Sequence, residues 1–180
     1  MNKVFIGIVT FIILFFAYGF YENSTKKSMK SKRVECQNKT TTFEQINKSK
    51  NITLAQDLLQ AGSYTIKSNI EYSQIMPTVL INYFDVKKVD ELLLKNIPSK
   101  KNINSDKKLL VDYYIYENDK EDTNKKNDKA KLYAGYLVFE FKFENKTLYK
   151  IQTDYMKQDG SDIEERMQCV IKSFLTIKGE

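Results

Sequence analysis

Residues 4–21, VFIGIVTFIILFFAYGFY, carry no charged side chain. A run of this length sits at the lower edge of what crosses a hydrocarbon core about 30 Å thick. It is apolar on every side and has no polar face to turn to water. The fold must therefore be built from the chain that follows it.

Two readings of residues 1–21 compete. Lys3, the strongly apolar stretch 4–16 and the small-x-small triplet Ala17-Tyr18-Gly19 fit a signal peptide cleaved after Gly19. Tyr18 and Tyr21 at the end of the run fit the interfacial belt of an uncleaved anchor, and glycine is a poorer cleavage residue than alanine. The balance favours a single-pass signal-anchor in a bacterial inner membrane, with release into the periplasm after cleavage as the alternative. A lipoprotein is excluded, because Cys36 lies far past the apolar run.

The formal charge of the 180-residue chain is +6. Residues 1–35 hold six basic side chains against two acidic ones, so +4 of that excess lies outside the body. The remainder is nearly neutral, which argues against nucleic acid as a partner, since tracking phosphates needs Lys and Arg clustered on the folded domain. The basic cluster is Lys26, Lys27, Lys30, Lys32 and Arg33, in a polar, aperiodic stretch that reads as a linker over 22–35. Its plain role is a solvated spacer. Its functional role would be contact with anionic lipid headgroups.

Orientation contains a conflict. The positive-inside rule, taken alone, would keep the body in the cytoplasm. Long domains translocate with little regard to charge, however, and the cysteines favour an oxidising compartment. The expectation is an exported, periplasmic domain over 36–180. Its two cysteines, Cys36 and Cys169, stand at opposite ends of that domain. Around Cys169 the apolar stripe Ile163, Met167, Val170, Phe174, Ile177 recurs at helical spacing, and Cys169 falls off it. A thiol there is placed to meet a flanking segment, so a disulfide is expected rather than two unrelated buried thiols. Two cysteines without histidine cannot complete a zinc site.

Along the body, Thr41-x-x-Glu44, Thr53-x-x-Gln56 and Ser161-x-x-Glu164 have capping-box spacing. They predict helices at 42–48, at 54–61 with Gly62 as the C-terminal cap, and at the C-terminus. Residues 87–96 predict a further helix, stopped by Pro98. Alternating patterns predict strands at 64–72, 109–116, 133–143 and 149–155, and the apolar run 79–86 predicts another. Residues 117–129 read as a charged loop. The expected fold is α+β: a membrane helix, then one domain with a mainly antiparallel five-stranded sheet and packed helices.

Chemistry is poorly provided for. There is no histidine, the usual acid–base group. No G-x-S-x-G elbow and no calcium-loop spacing is present. Asp159, Asp162, Glu164 and Glu165 cluster, but at a helix start, where carboxylates serve caps and dipole. Asp112 and Glu140 fit cross-strand pairing with Lys142 or Lys150. Neither catalytic residues nor cofactors nor metal ligands are assigned.

The tyrosines are more informative. Tyr114, Tyr116 and Tyr136 project from the less apolar faces of their strands, where a rigid apolar body with a polar tip suits an interface. Ordinary strand preference accounts for tyrosine there too. The sequence therefore points to a non-catalytic, membrane-tethered interaction module that binds another envelope protein, as an accessory or scaffold of a motor, pilus or secretion apparatus. A small-ligand-binding envelope domain is the alternative, and an envelope hydrolase using Ser/Lys or carboxylates the third reading.

Overall fold

The computed structural model describes residues 32–38, 40–99, 103, 105–122 and 132–179. The expected anchor over 1–21 lies outside them. Among the described residues no helix is long and apolar enough to cross a membrane.

From Val34 onward the chain is one compact unit of α+β architecture. The strands are β1 (Thr41–Ile46), β2 (Tyr64–Glu71), β3 (Leu109–Glu117), β4 (Gly135–Phe143) and β5 (Lys146–Tyr155). The helices are α1 (Asn51–Gln60), α2 (Val86–Asn96) and α3 (Ile163–Leu175), with short 3₁₀ turns at Glu35–Asn38 and Leu80–Asn82. The five strands form one mixed sheet in the order β1-β5-β4-β3-β2. The β3–β4, β4–β5 and β1–β5 pairs are antiparallel, and β2 runs parallel to β3. A parallel neighbour needs a crossover, and the connection from β2 to β3 supplies it through α2.

Alternation decides the faces. Leu109, Val111, Tyr113 and Ile115 of β3 point to one side with Leu137, Phe139 and Phe141 of β4 and Tyr149 and Ile151 of β5, all buried in one core. The helices pack on that side. Phe174 of α3 stacks on Phe141 with ring centroids 4.0 Å apart, Tyr113 stacks on Phe139 at 4.6 Å, and the Tyr113 hydroxyl donates to Asp90 of α2 at 2.6 Å. Ile52, Ala55, Leu58 and Leu59 bring α1 into the same core.

Two sequence expectations fail for tertiary reasons. Residues 42–48 are not a helix. Thr41–Ile46 pairs with β5, and the Glu44 carboxylate accepts from Gln37 Nε2 at 2.8 Å and the Tyr149 hydroxyl at 2.6 Å. Local capping-box spacing lost to edge pairing and to these half-buried polar contacts. Residues 79–86 are not a strand. Their backbone N–H groups at Val79 and Leu80 go to the Glu117 carboxylate, and Leu80 and Phe84, four residues apart, turn together into the core.

The remaining helices shift in detail. α1 starts at Asn51, not at a Thr53 cap. Gln56 leaves its supposed box to donate from Nε2 to the carbonyls of Phe174 and Ile177, closing the end of α3. Gly62 caps α1 as expected: with φ of 76° it lets the Gly62 and Ser63 amides turn back to Leu59 and Leu58. α3 is capped at Asp162 rather than Ser161, and the Asp162 carboxylate reaches back to the amides of Met156 and Lys157 at 2.9 and 3.2 Å. The β4–β5 hairpin turns through Glu144 and Asn145, both at positive φ, the two-residue turn that follows strand twist.

Cys36 and Cys169 form a disulfide, with Cα atoms 5.8 Å apart. Cys169 lies off the stripe of α3 that faces the sheet, yet is buried, because the Glu35–Asn38 turn covers that second side of the helix. Gln37 beside it is fully buried and donates to Ser173 at 3.0 Å. The bridge closes a separation of 133 residues and removes that freedom from the unfolded chain. Reduction is expected to lower stability by about 3–5 kcal/mol on the chain-entropy account. Urea unfolding of the full chain in detergent, with and without reductant, measures this. An unchanged midpoint would contradict it.

Candidate interaction surface

Among the described residues, all three helices lie on one side of the sheet, and the opposite face carries none. Strand register arranges that face in rows. Lys67, Asp112, Glu140 and Lys150 lie across β2, β3, β4 and β5, with Lys142 one step along β4. Lys142 Nζ sits 2.7 Å from Asp112 and 2.9 Å from Glu140, Lys150 is 2.7 Å from Glu140, and Lys67 is 3.6 Å from Asp112. This ladder is internally matched. Bonds from Lys150 first, then Lys142, hold the Glu140 carboxyl below its ordinary value, while bonds to Asp112 and Glu140 raise Lys142. The cross-strand pairing read from the sequence is present.

One row further along, Tyr114 of β3 stands opposite Val138 of β4, and beyond it Tyr116 stands opposite Tyr136. The three candidate tyrosines form one cluster. Tyr116 and Tyr136 stack with centroids 4.8 Å apart, and Tyr114 meets Tyr136 edge-on at 6.2 Å. All three are half-buried. Gly135, at the start of β4, permits this approach of strands: a Cβ there would collide with the Tyr116 carbonyl oxygen and the Tyr155 hydroxyl. Phe43 of β1, 38% exposed, extends the same face beside Gln152.

The end of the sheet nearest the tyrosines is held by two carboxylates that sequence reasoning missed. Glu117 closes β3 and accepts from the amides of Ser73, Val79 and Leu80 at 3.1, 2.8 and 3.0 Å, and from the Thr78 hydroxyl. Asp119 accepts from the amides of Gln74, Ile75 and Met76 at 2.9, 3.0 and 3.2 Å, and from the Ser73 hydroxyl. Together they staple residues 73–80 to the end of β3. The only sequence signal was two acids spaced by two at a strand end, which a charged loop shows equally.

Other candidate residues fall elsewhere. Lys26, Lys27 and Lys30 lie outside the described residues, and Lys32 and Arg33 immediately precede the compact unit. The acidic cluster at α3 is structural: Asp162 binds the amides named above and lies 3.6 Å from Arg166, Glu165 lies 3.2 Å from Arg166, and Glu164 lies 2.9 Å from Lys95. Among the described residues no group of three or more metal-ligating side chains is placed to hold an ion. Among the described residues, one surface cleft of about 260 Å³ lies beside the β4–β5 hairpin, lined by Lys107, Lys108 and Lys142, and another of about 260 Å³ lies between α2 and α3, lined by Pro98, Ile171 and Leu175. Neither opens between the sheet and the helices. No protein-family model, curated protein or solved structure matches this chain.

The staple carries a pH dependence. Burial opposes the charged form of both carboxyls, but the hydrogen bonds outweigh it and hold Glu117 and Asp119 below their ordinary values of 4.5 and 3.8. For a lowered carboxyl the stabilisation is complete above the ordinary value and is lost as pH falls below it. Asp119→Asn replaces one of the two carboxylate oxygens with an NH2 donor that faces at least the Gln74 amide, and removes the charge from the other, so it should cost about 1–3 kcal/mol at neutral pH. The gap to the parent should narrow by about pH 3, where the unfolded parent is protonated. Urea midpoints at the two pH values test this, and an equal gap at both would contradict it.

Proposed function

We propose that this chain is a non-catalytic, membrane-tethered module of the bacterial envelope that docks on another envelope protein through the open face of its sheet. Its place is as an accessory or scaffold component of a larger assembly such as a motor, pilus or secretion apparatus. The observation that carries this reading is the tyrosine cluster on a sheet face that no described helix covers. An antiparallel sheet turned to water on one side normally alternates apolar with polar residues. Here that face holds three tyrosines joined through Tyr136, with Val138 between β3 and β5, the aromatic composition that interfaces favour.

The tether rests on residues 4–21, read as an uncleaved single-pass anchor, with 22–35 as the spacer whose Lys26, Lys27, Lys30, Lys32 and Arg33 meet anionic headgroups. Export rests on that segment and on the Cys36–Cys169 disulfide, which an oxidising periplasm maintains. A docking module is favoured over a small-ligand carrier because the inner face of the sheet is filled by Phe139, Phe141, Tyr149 and Phe174, and each of the two clefts described above falls below the roughly 300 Å³ that ligand pockets occupy.

Two experiments test the reading. Alkaline phosphatase fused to the C-terminus should be active. An inactive fusion with a bright cytoplasmic reporter would overturn the exported orientation. Changing Tyr114, Tyr116 and Tyr136 together to Ser should abolish crosslinked recovery of the native partner from membranes while the disulfide and the folded state persist. Full recovery with the folded triple variant would overturn the interface.

A further inference from the structure

The two edges of the sheet are built differently. β1, at one edge, is broken by a bulge between Thr41 and Phe43, a device that blunts strand edges. β2, at the other edge, runs eight residues in unbroken register with β3, without glycine, proline or bulge. Among the described residues β3 is its only strand partner. The Leu109 amide donates to the Ser63 carbonyl, which sets the phase of the pair. The peptide groups of Thr65, Lys67, Asn69 and Glu71 then point to β3, and those of Tyr64, Ile66, Ser68 and Ile70 point away from it. Side chains alternate as well. Thr65, Lys67, Asn69 and Glu71 are exposed on the face away from the helices. On the helix side Ile70 is buried, whereas Ile66 and Tyr72 are only half-buried against the core.

We infer that β2 pairs antiparallel with β2 of a second copy of this chain, about a two-fold axis at Asn69, so that two five-stranded sheets become one. The strand is complementary to itself about that point. An axis at Lys67 or at Glu71 would set like charges opposite each other. At Asn69, Lys67 of each copy stands opposite Glu71 of the other, in pairs of the kind that bring side chains closest. Ser68 of one copy and Ile70 of the other exchange the outward peptide hydrogen bonds. On the helix side Ile66 of each copy meets Tyr72 of the other, which covers apolar surface that a single chain leaves half-exposed. Lys67 lies 3.6 Å from Asp112 of its own chain, but its side chain is 74% exposed, so that pair is weak and the ammonium stays within reach of the second copy. The axis is normal to the sheet. The Glu35–Asn38 turns of both copies, each fixed on α3 by its disulfide, therefore lie on one side of the doubled sheet, as two chains tethered in one membrane require. The pairing uses the edge of the sheet and leaves the tyrosine cluster on its face.

The test uses the full chain in native membranes and in mild detergent. Asn69→Cys should give a disulfide-linked dimer on a non-reducing gel, because Cα atoms opposite each other in such a pair are about 4.5 Å apart, within the reach of a disulfide. Thr65→Cys, which the same axis carries far from its copy, should give none. Light scattering of the parent in detergent should return the protein mass of two chains. Lys67→Glu and Glu71→Lys each set like charges opposite and should weaken the dimer by about tenfold. Combining the two restores opposite charges and should return the dimer to within about twofold of the parent. Loss of the Lys67–Asp112 contact within the chain does not produce such a rescue. A monomeric parent, equal crosslinking from positions 65 and 69, or single and double charge variants that dimerise alike would overturn the pairing.

Discussion

Burial of one side of β3, β4 and β5 beneath α1, α2 and α3 is the interaction on which the rest of this structure depends. Strict alternation along β3 sends Leu109, Val111, Tyr113 and Ile115 inward and, by the same geometry, Asp112, Tyr114 and Tyr116 outward. A one-residue slip against β4 would exchange the two sets, so core packing fixes the register of the outer face as firmly as that of the inner one. The tyrosine cluster and the charge ladder are therefore held in place by groups on the other side of the sheet. Their arrangement comes from the stacking of Phe141 on Phe174 and of Tyr113 on Phe139.

The ends of the chain are secured by different means. The Glu35–Asn38 turn lies on α3 through the disulfide and through Gln37, whose amide bonds Ser173 and Glu44 at once. A load applied through the segment before Val34 would reach α3 by a covalent link two residues later, before it reached the edge hydrogen bonds of β1. At the other end of the molecule's ordering, residues 73–80 have little regular structure, and two buried carboxylates supply the hydrogen-bond partners their amides would otherwise lack.

Much of this was legible in the sequence, and the failures have identifiable causes. Period-two alternation found β2, β3, β4 and β5, because each has one buried face. The stripe through Ile163, Met167, Val170 and Phe174 found α3, and the position of Cys169 off that stripe anticipated its disulfide. β1 was misread because Thr41-x-x-Glu44 satisfies a local rule, while the contacts that make it a strand, to β5 and Tyr149, are about a hundred residues away. Residues 79–86 were misread because Leu80 and Phe84 carry the burial at helical spacing within a run that also suits a strand. Parallel pairing of β2 with β3 depends on the crossover through α2, which no local pattern encodes. The three tyrosines were singled out one strand at a time. That Tyr114 and Tyr116 both meet Tyr136 follows only from sheet order.

The central claim is that the sheet face that no described helix covers is the surface through which this protein meets its partner. Site-specific photocrosslinking in living cells tests it most directly. A photoreactive phenylalanine analogue replaces Tyr114 in one strain, and exposed Leu94 or Gln168 on the helix side in others. The account predicts a discrete higher-mass adduct from position 114 and none from positions 94 and 168. Adducts from the helix positions, with position 114 silent, would contradict it.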